Sequence, residues 1–313
     1  MNNLRATFAK SVFDIGLDDD KFVLVVGDIS HGLLKDFRDN FPDRYFNIGI
    51  SEPGMTSVIA GLSKSGLIPL VHTIAPFLIE RSFEQIKLDF GYQKLSGNFL
   101  SVGSSFDYSK LGCSHHTYSD VSMISQIPGS RVFLPSSDIE LEILLKDNYA
   151  RKSINYFRLT ENSHNVEMNR TDIHSGKGVI VKEGSDVTIF ALGPQLKVAV
   201  TAGLRLQEEG IDAEVIYFHT FKPFDNEIVL NSVKKTGAFI TVDELSTEHN
   251  LFHLVQNAIF GKVLVPGIQF GVADFVRYYG KYSEILEEIG LGEQKIVDSV
   301  MALIAEKTRF HYG

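Results

Sequence analysis

The sequence has no tryptophan and a single cysteine, Cys113, among 313 residues. One thiol excludes an internal disulfide framework and fits a reducing compartment. Positive charge is also short, with 30 Lys and Arg against 39 Asp and Glu and a formal net charge of −9. That balance, with no basic stripe, argues against nucleic acid or an anionic membrane as partner. Long apolar runs are missing: stretches such as Phe22-Val-Leu-Val-Val26 are far too short to cross a bilayer. The start, Met1-Asn-Asn-Leu-Arg-Ala-Thr7, lacks the charged-then-apolar profile of a secretory signal, so a cytoplasmic location is expected. Nor is there an internal repeat or a low-complexity tract.

What is present is ordinary globular composition, 44% apolar and 22% charged, with length for about two domains. Short β-rich runs alternate with helical stretches, a pattern that predicts parallel sheets flanked by helices. In the first half the strands fall near 22–26, 45–48, 68–71, 99–102, 131–133 and 155–158, with helices at 4–13, 55–65, 77–92 and 139–148. Residues 161–178 are polar and carry no apolar period, so they read as a linker. A second alternating unit follows, with strands near 186–190, 213–217, 238–242 and 263–270 and a helix over 195–209. The tail from 283 to 307 reads as two helices broken at Gly290-Leu-Gly292. The expected fold class is α/β, two consecutive parallel-sheet domains at 1–162 and 179–313, joined by a linker at 163–178.

One corner stands out. Arg44-Tyr-Phe-Asn-Ile-Gly-Ile-Ser-Glu-Pro-Gly-Met55 carries a lone carboxylate, Glu52, from the end of an apolar strand onto the first turn of a helix. Open α/β sheets place ligands at such corners. Glu52 equally suits plain complementation of the helix dipole, and the surrounding motifs decide between the two.

Those motifs run in order along nearly the whole chain: Phe41-Pro-Asp-Arg-Tyr-Phe-Asn-Ile-Gly-Ile-Ser-Glu-Pro-Gly-Met55, Ala75-Pro-Phe-Leu-Ile-Glu-Arg-Ser-Phe-Glu-Gln-Ile86, Gly112-Cys-Ser-His-His116, Ile127-Pro-Gly-Ser-Arg-Val-Phe-Leu-Pro135, Tyr156-Phe-Arg-Leu159 and Asp274-Phe-Val-Arg-Tyr-Tyr-Gly-Lys-Tyr-Ser-Glu-Ile-Leu286. Together they resemble the pyrimidine-binding domain of transketolases followed by the transketolase C-terminal domain. The Gly-Asp-Gly motif with which the family holds a diphosphate through Mg²⁺ is missing, and Met1 directly precedes the first helix. The resemblance therefore implies the C-terminal subunit of a split transketolase. It also implies thiamine diphosphate as cofactor, Mg²⁺ held mainly by an N-terminal diphosphate-binding partner chain, and a heterotetramer of two plus two chains.

By the same resemblance, Glu52 hydrogen-bonds N1′ of the cofactor's aminopyrimidine. Desolvation against the ring would favour the shared proton that this task needs. Phe77 matches an aromatic stacked on the pyrimidine, with Arg81 and Phe83 placed to line the same pocket or to be a surface cation and a core ring. His115 matches the histidine that contacts substrate hydroxyls and assists proton transfer, a task suited to a neutral imidazole. His116 receives no catalytic role, and Cys113 is expected to be a small packed residue. Arg5 aligns with an arginine that contacts substrate phosphate. Asp28 and His31 follow the first strand at the edge where cofactor and substrate approach; cap or turn roles remain open for them.

The sequence also departs from the family. Where many transketolases read Arg-Leu-Ser-Arg and grip phosphate with the second arginine, this chain reads Arg158-Leu-Thr-Glu161. A carboxylate repels a phosphate dianion instead of forking to it. The acid expected shortly before the signature histidine falls at Leu111, and Asp243-Glu-Leu-Ser-Thr-Glu-His249-Asn lacks the usual following glycine pair. The expected activity is transfer of a two-carbon ketol unit between sugars, the acceptor not a standard pentose phosphate. The alternatives are the β subunit of a 2-oxoacid dehydrogenase E1 component and a non-catalytic scaffold subunit.

Overall fold

The structure is a computed structural model that describes residues 3–311. The chain forms two compact units. One comprises the residues up to Tyr108 with Ser114–Ser163, the other Ser109–Cys113 with the chain from His164 onward.

The first unit carries strands β1 (Phe22–Val26), β2 (Tyr45–Asn47), β3 (Ile68–Ile74), β4 (Gly97–Val102), β5 (Arg131–Phe133) and β6 (Ile154–Arg158). They lie in the order β5-β6-β4-β3-β1-β2, and every pairing among them is parallel. All residues of β1, β4 and β6 are buried, as required where helices cover both faces of a parallel sheet. The helices are α1 (Leu4–Asp18), α2 (Lys35–Asn40), α3 (Glu52–Lys64), α4 (Phe83–Gln85), α5 (Asp120–Ser125) and α6 (Asp138–Asn148). Asn3 caps α1 by accepting from the Ala6 N–H at 3.2 Å, and Thr7 on α1 donates to Asp138 at the start of α6 at 2.8 Å.

Two local differences from the sequence expectation bear on the site. Helix α3 begins at Glu52, three residues earlier than the apolar period shows, because Pro53 is pre-set for a first turn. The single helix expected over 77–92 is instead a π-helical turn at Pro76–Glu80, the short α4, and a second π turn at Ile86–Tyr92. In the first, the Arg81 N–H reaches back five residues to Pro76 O at 3.1 Å. Such expanded turns collect at functional sites.

The second unit holds β7 (Gly178–Lys182), β8 (Val187–Leu192), β9 (Ala213–Phe218), β10 (Thr220–Lys222), β11 (Phe239–Ser246) and β12 (Gly267–Val272). Its five-stranded sheet has the order β12-β11-β8-β9-β7. The pairings are parallel except that β7 runs antiparallel to β9, so the second sheet is parallel with one reversed edge strand. The run Val179-Ile-Val181 is β-branched and supplies that edge. Helices α7 (Leu196–Glu208), α8 (Asn226–Thr236), α9 (Leu251–Ile259), α10 (Tyr282–Glu288) and α11 (Glu293–His311) complete the unit, and α10 and α11 part at the expected glycines. The acidic pair after β11's core is structural here. Asp243 accepts from the N–H groups of Leu245 and Leu251, and Glu244 accepts from Gln195 Nε2 at 2.7 Å and from the Tyr282 hydroxyl.

Beneath the loop between β4 and α5 lies a buried ion pair. Arg158 Nε, at the end of β6, donates to Asp120 Oδ2 at 2.7 Å, with both side chains sealed from solvent. Arg158 Nη2 also holds Ser105 Oγ at 3.0 Å and Thr117 O at 3.1 Å. Tyr156 donates its hydroxyl to the same Asp120 oxygen at 2.6 Å. Removing one partner of such a pair strands a charge, so Asp120→Ala is expected to cost about 3–5 kcal/mol. Thermal and urea unfolding measure it; a loss below about 1 kcal/mol would mean that water reaches the guanidinium.

Candidate active site

The carboxyl ends of β1, β2, β3, β4 and β6 lie along one edge of the first sheet, since all these strands are parallel. Apart from Arg5, which stands in the first turn of α1, the candidate residues emerge from the connections at that edge, the general ligand position in open α/β sheets.

One end of this edge is built on Glu52. The β2–α3 connection buries its side chain to 2% exposure, and Oε2 accepts from Arg81 Nη1 at 2.8 Å. The Arg81 guanidinium lies over the Phe77 ring, 4.3 Å from its centroid. Planar, weakly hydrated guanidinium suits this double use. Phe77 in turn meets the edge of the His115 ring at 5.2 Å and 71°, and Tyr108 meets His115 at 6.1 Å and 83°. Ser114 Oγ lies 3.0 Å from His115 Nδ1. The structure thus brings Glu52, Arg81, Phe77 and His115 into one contiguous group.

Arg5, Asp28 and His31 belong to a second group, around the turn that follows β1. Asp28 and Ser30 both adopt left-handed backbone, φ 53° and 61°, costly for non-glycine residues and held here by side-chain bonds. Asn47 Oδ1 accepts from the Asp28 N–H at 3.0 Å, and His31 Nε2 lies 3.0 Å from Asp28 Oδ1. The bonds from His31 and Asn47 hold the exposed Asp28 carboxyl below its ordinary value. Arg5 Nη2 donates to Ser30 Oγ at 3.1 Å, while its Nη1 lies 4.0 Å from Glu161 Oε1. Burial pushes the Glu161 carboxyl up, the neighbouring Asp107 adds to this, and Arg5 opposes it.

Several residues here escape motif reading. Asp107 is buried under the loop and accepts from Ser104, Thr160, Asn162 and the Glu161 N–H at 2.7–3.1 Å. Burial raises its carboxyl above the usual range. His72, in β3, is fully buried between Leu100 O and Ser30 Oγ; a histidine inside a mostly apolar strand was the available signal. Two expectations need correction or placing. Cys113 is exposed because it sits on a short 3₁₀ turn, Cys113–His115, and not in the core. His116 is buried against Phe106, with Nδ1 3.2 Å from the Tyr118 hydroxyl, a packing role. Among the described residues no three His, Cys, Asp or Glu side chains converge to hold a metal ion.

Comparison with known proteins gives these features a context. Residues 2–166 match the transketolase pyrimidine binding domain and residues 176–296 the transketolase C-terminal domain. The chain is 30% identical over 296 residues to the 6-deoxy-6-sulfo-D-fructose transketolase subunit SqwH of Clostridium sp. (strain MSTE9), covering 94% of this chain and 92% of that one. It is 28% identical to an apulose-4-phosphate transketolase subunit of Phocaeicola vulgatus, covering 96% and 97%. A solved split-gene transketolase, an inactive β4 tetramer, superposes with a TM-score of 0.86 at 29% identity, over 96% of this chain and 98% of that one.

The geometry around His72 has a consequence in solution. Burial pushes its pKa down from 6.5 to about 4, so the folded chain keeps the ring neutral while the unfolded chain protonates it first. The unfolded state then binds more protons, and stability falls as pH drops from about 6.5 to about 4. His72→Phe removes this contribution. Urea unfolding at pH 7 and pH 4.5 is expected to show a smaller acid loss in the variant, by roughly 1–3 kcal/mol; equal losses would contradict the buried neutral ring.

Proposed function

The chain belongs to the transketolase family, and from that premise we propose that it is the C-terminal subunit of a two-component, thiamine-diphosphate-dependent transketolase. The observation that carries this reading is the contiguous Glu52–Arg81–Phe77–His115 group at the sheet edge. A buried acid beside a half-buried aromatic face fits an aminopyrimidine ring. Glu52 would hold the ring nitrogen and Phe77 the ring face, with Arg81 behind it and Asp28 at the neighbouring strand end. When bound, thiamine diphosphate supplies the carbanion chemistry that breaks and remakes a carbon–carbon bond beside a carbonyl.

The protein's own part is to position and exclude. Burial of Glu52 keeps water from competing for its hydrogen bond. An imidazole both donates to and accepts from sugar hydroxyls, and His115 in that role moves a proton between them. Arg5, with His31 nearby, meets the far end of the substrate. A partner chain supplies the diphosphate and Mg²⁺ site. The exposed apolar residues Phe46, Ile48 and Ile50, the last 74% exposed, flank Glu52 on edge strand β2 and the following loop, a surface suited to that partner. The assembly we favour is two copies of each chain, in the cytoplasm, with domains at 1–162 and 179–313 and a linker at 163–178.

The acceptor follows from charge. Glu161 beside Arg5 leaves this end without net positive charge, so a terminal phosphate dianion meets a carboxylate where a second cation would be needed. A hydroxyl-bearing end both accepts from Arg5 and donates to Glu161. The two relatives above are named for a sulfo sugar and a sugar phosphate, so the test includes anionic acceptors.

The complex with a diphosphate-binding partner, thiamine diphosphate and Mg²⁺ is expected to transfer a ketol unit from hydroxypyruvate to an aldose. Glu52→Gln is expected to lower kcat by about 10²–10⁴-fold; unchanged activity would favour the scaffold reading, and pyruvate-dependent CO₂ release the 2-oxoacid dehydrogenase reading. For the acceptor, D-ribose and D-glyceraldehyde are compared with their terminal phosphates. Glu161→Arg is expected to raise kcat/KM for the phosphates by about 10-fold or more. Efficient wild-type use of ribose 5-phosphate would discard the acceptor assignment.

A further inference from the structure

His72 does not belong to any motif, yet its surroundings fix the direction of every hydrogen bond it makes. Leu100 O, 3.0 Å from Nδ1, can only accept, so Nδ1 carries the proton. The ring is wholly buried with no carboxylate bonded to it, which leaves Nε2 bare as an acceptor. Ser30 Oγ, 2.9 Å away, must then donate its single proton to Nε2. That leaves the Ser30 oxygen lone pairs for Arg5 Nη2, which donates to them at 3.1 Å. The chain of donors therefore runs one way, from Arg5 to Ser30, from Ser30 to His72, and, from the other ring nitrogen, to the main chain of β4. Phe8 of α1 packs on the imidazole with centroids 4.6 Å apart, so the helix that carries Arg5 rests on the same ring.

Ser30 occupies left-handed backbone at φ 61°. A serine there is less favourable than glycine, and the turn keeps it although a glycine would relieve the strain.

We propose that His72 is a positioning residue of the transfer site: through Ser30 it fixes the Arg5 guanidinium opposite Glu161, where the acceptor's far end is read. This rests on the functional reading above and extends it to residues that never touch the substrate. The neutral ring matters because an imidazolium would donate from both nitrogens. Ser30 would then accept from Nε2 as well as from Arg5, and its own proton, no longer held by the ring, would turn away and loosen the one-way relay.

Ser30→Gly separates positioning from folding, because it removes the hydroxyl while relaxing the backbone. In the assembled complex, with hydroxypyruvate as donor and D-glyceraldehyde as acceptor, S30G is expected to raise the acceptor KM about 10-fold or more. Its kcat should stay within about threefold, and its Tm should fall only slightly, the relaxed backbone offsetting much of the unpaired Nε2. Arg5→Ala should raise the same KM, and S30G added to it should change nothing further, since the two act through one contact. Full additivity of the two substitutions, or a wild-type KM in S30G, would overturn the proposal. Nitrogen-15 NMR of the histidine-labelled chain supplies a readout that needs no activity. His72 should be the Nδ1-protonated neutral tautomer at pH 7, with its Nε2 resonance moved in S30G. An Nε2-protonated or doubly protonated ring would overturn the relay even in an active complex. If instead the complex transfers no ketol unit while the tautomer is as described, the functional reading falls and the relay stands as a structural device.

Discussion

The buried pair between Asp120 and Arg158 is the constraint on which the site depends. It ties the end of β6 to the start of α5 and, through Ser105 and Thr117, to both arms of the loop that carries Tyr108 and His115. An ion pair sealed from water adds little net stability against a well-packed apolar alternative, but it tolerates one geometry only. Tyr156 shares the same carboxylate oxygen, so three elements converge on one atom. The placement of His115 against Phe77 inherits its precision from this anchoring.

Above that anchor the edge of the sheet divides by chemistry. At one end an acid is buried next to a cation and an aromatic face, where the proposed function seats the aminopyrimidine. Around the turn after β1, Arg5 and Glu161 are both partly open to solvent and offset one another. His115 has two aromatic neighbours, Phe77 and Tyr108. In the second unit the acidic pair is engaged by main-chain and glutamine bonds of its own, the work of a brace within that unit.

Much of this was legible in the chain. The alternation of apolar runs predicts the strand positions of the first sheet because the buried parallel strands are mostly apolar, and Glu52 is found at the corner its motif implies. Three features were not legible, each for a physical reason. The reversed strand β7 lies at the end of a polar tract, and direction along a sheet edge leaves no mark on composition. The π turns around Phe77 and Arg81 come from where backbone carbonyls find donors, which helical periodicity does not encode. The third is the set Asp107, His72 and Ser30, polar residues whose partners lie far off along the chain and are joined only by folding. Cys113 failed differently: its smallness pointed inward, and the turn beside His115 put it outside.

The apolar rim formed by Phe46, Ile48 and Ile50 carries a consequence for how such a protein is made. If the same surface both completes the reaction centre and is shielded by the second polypeptide, then catalytic maturation and protection from self-adhesion are one event. A surplus of either chain would be left with sticky, unfinished material. Matched synthesis of the two chains would then keep that surplus small.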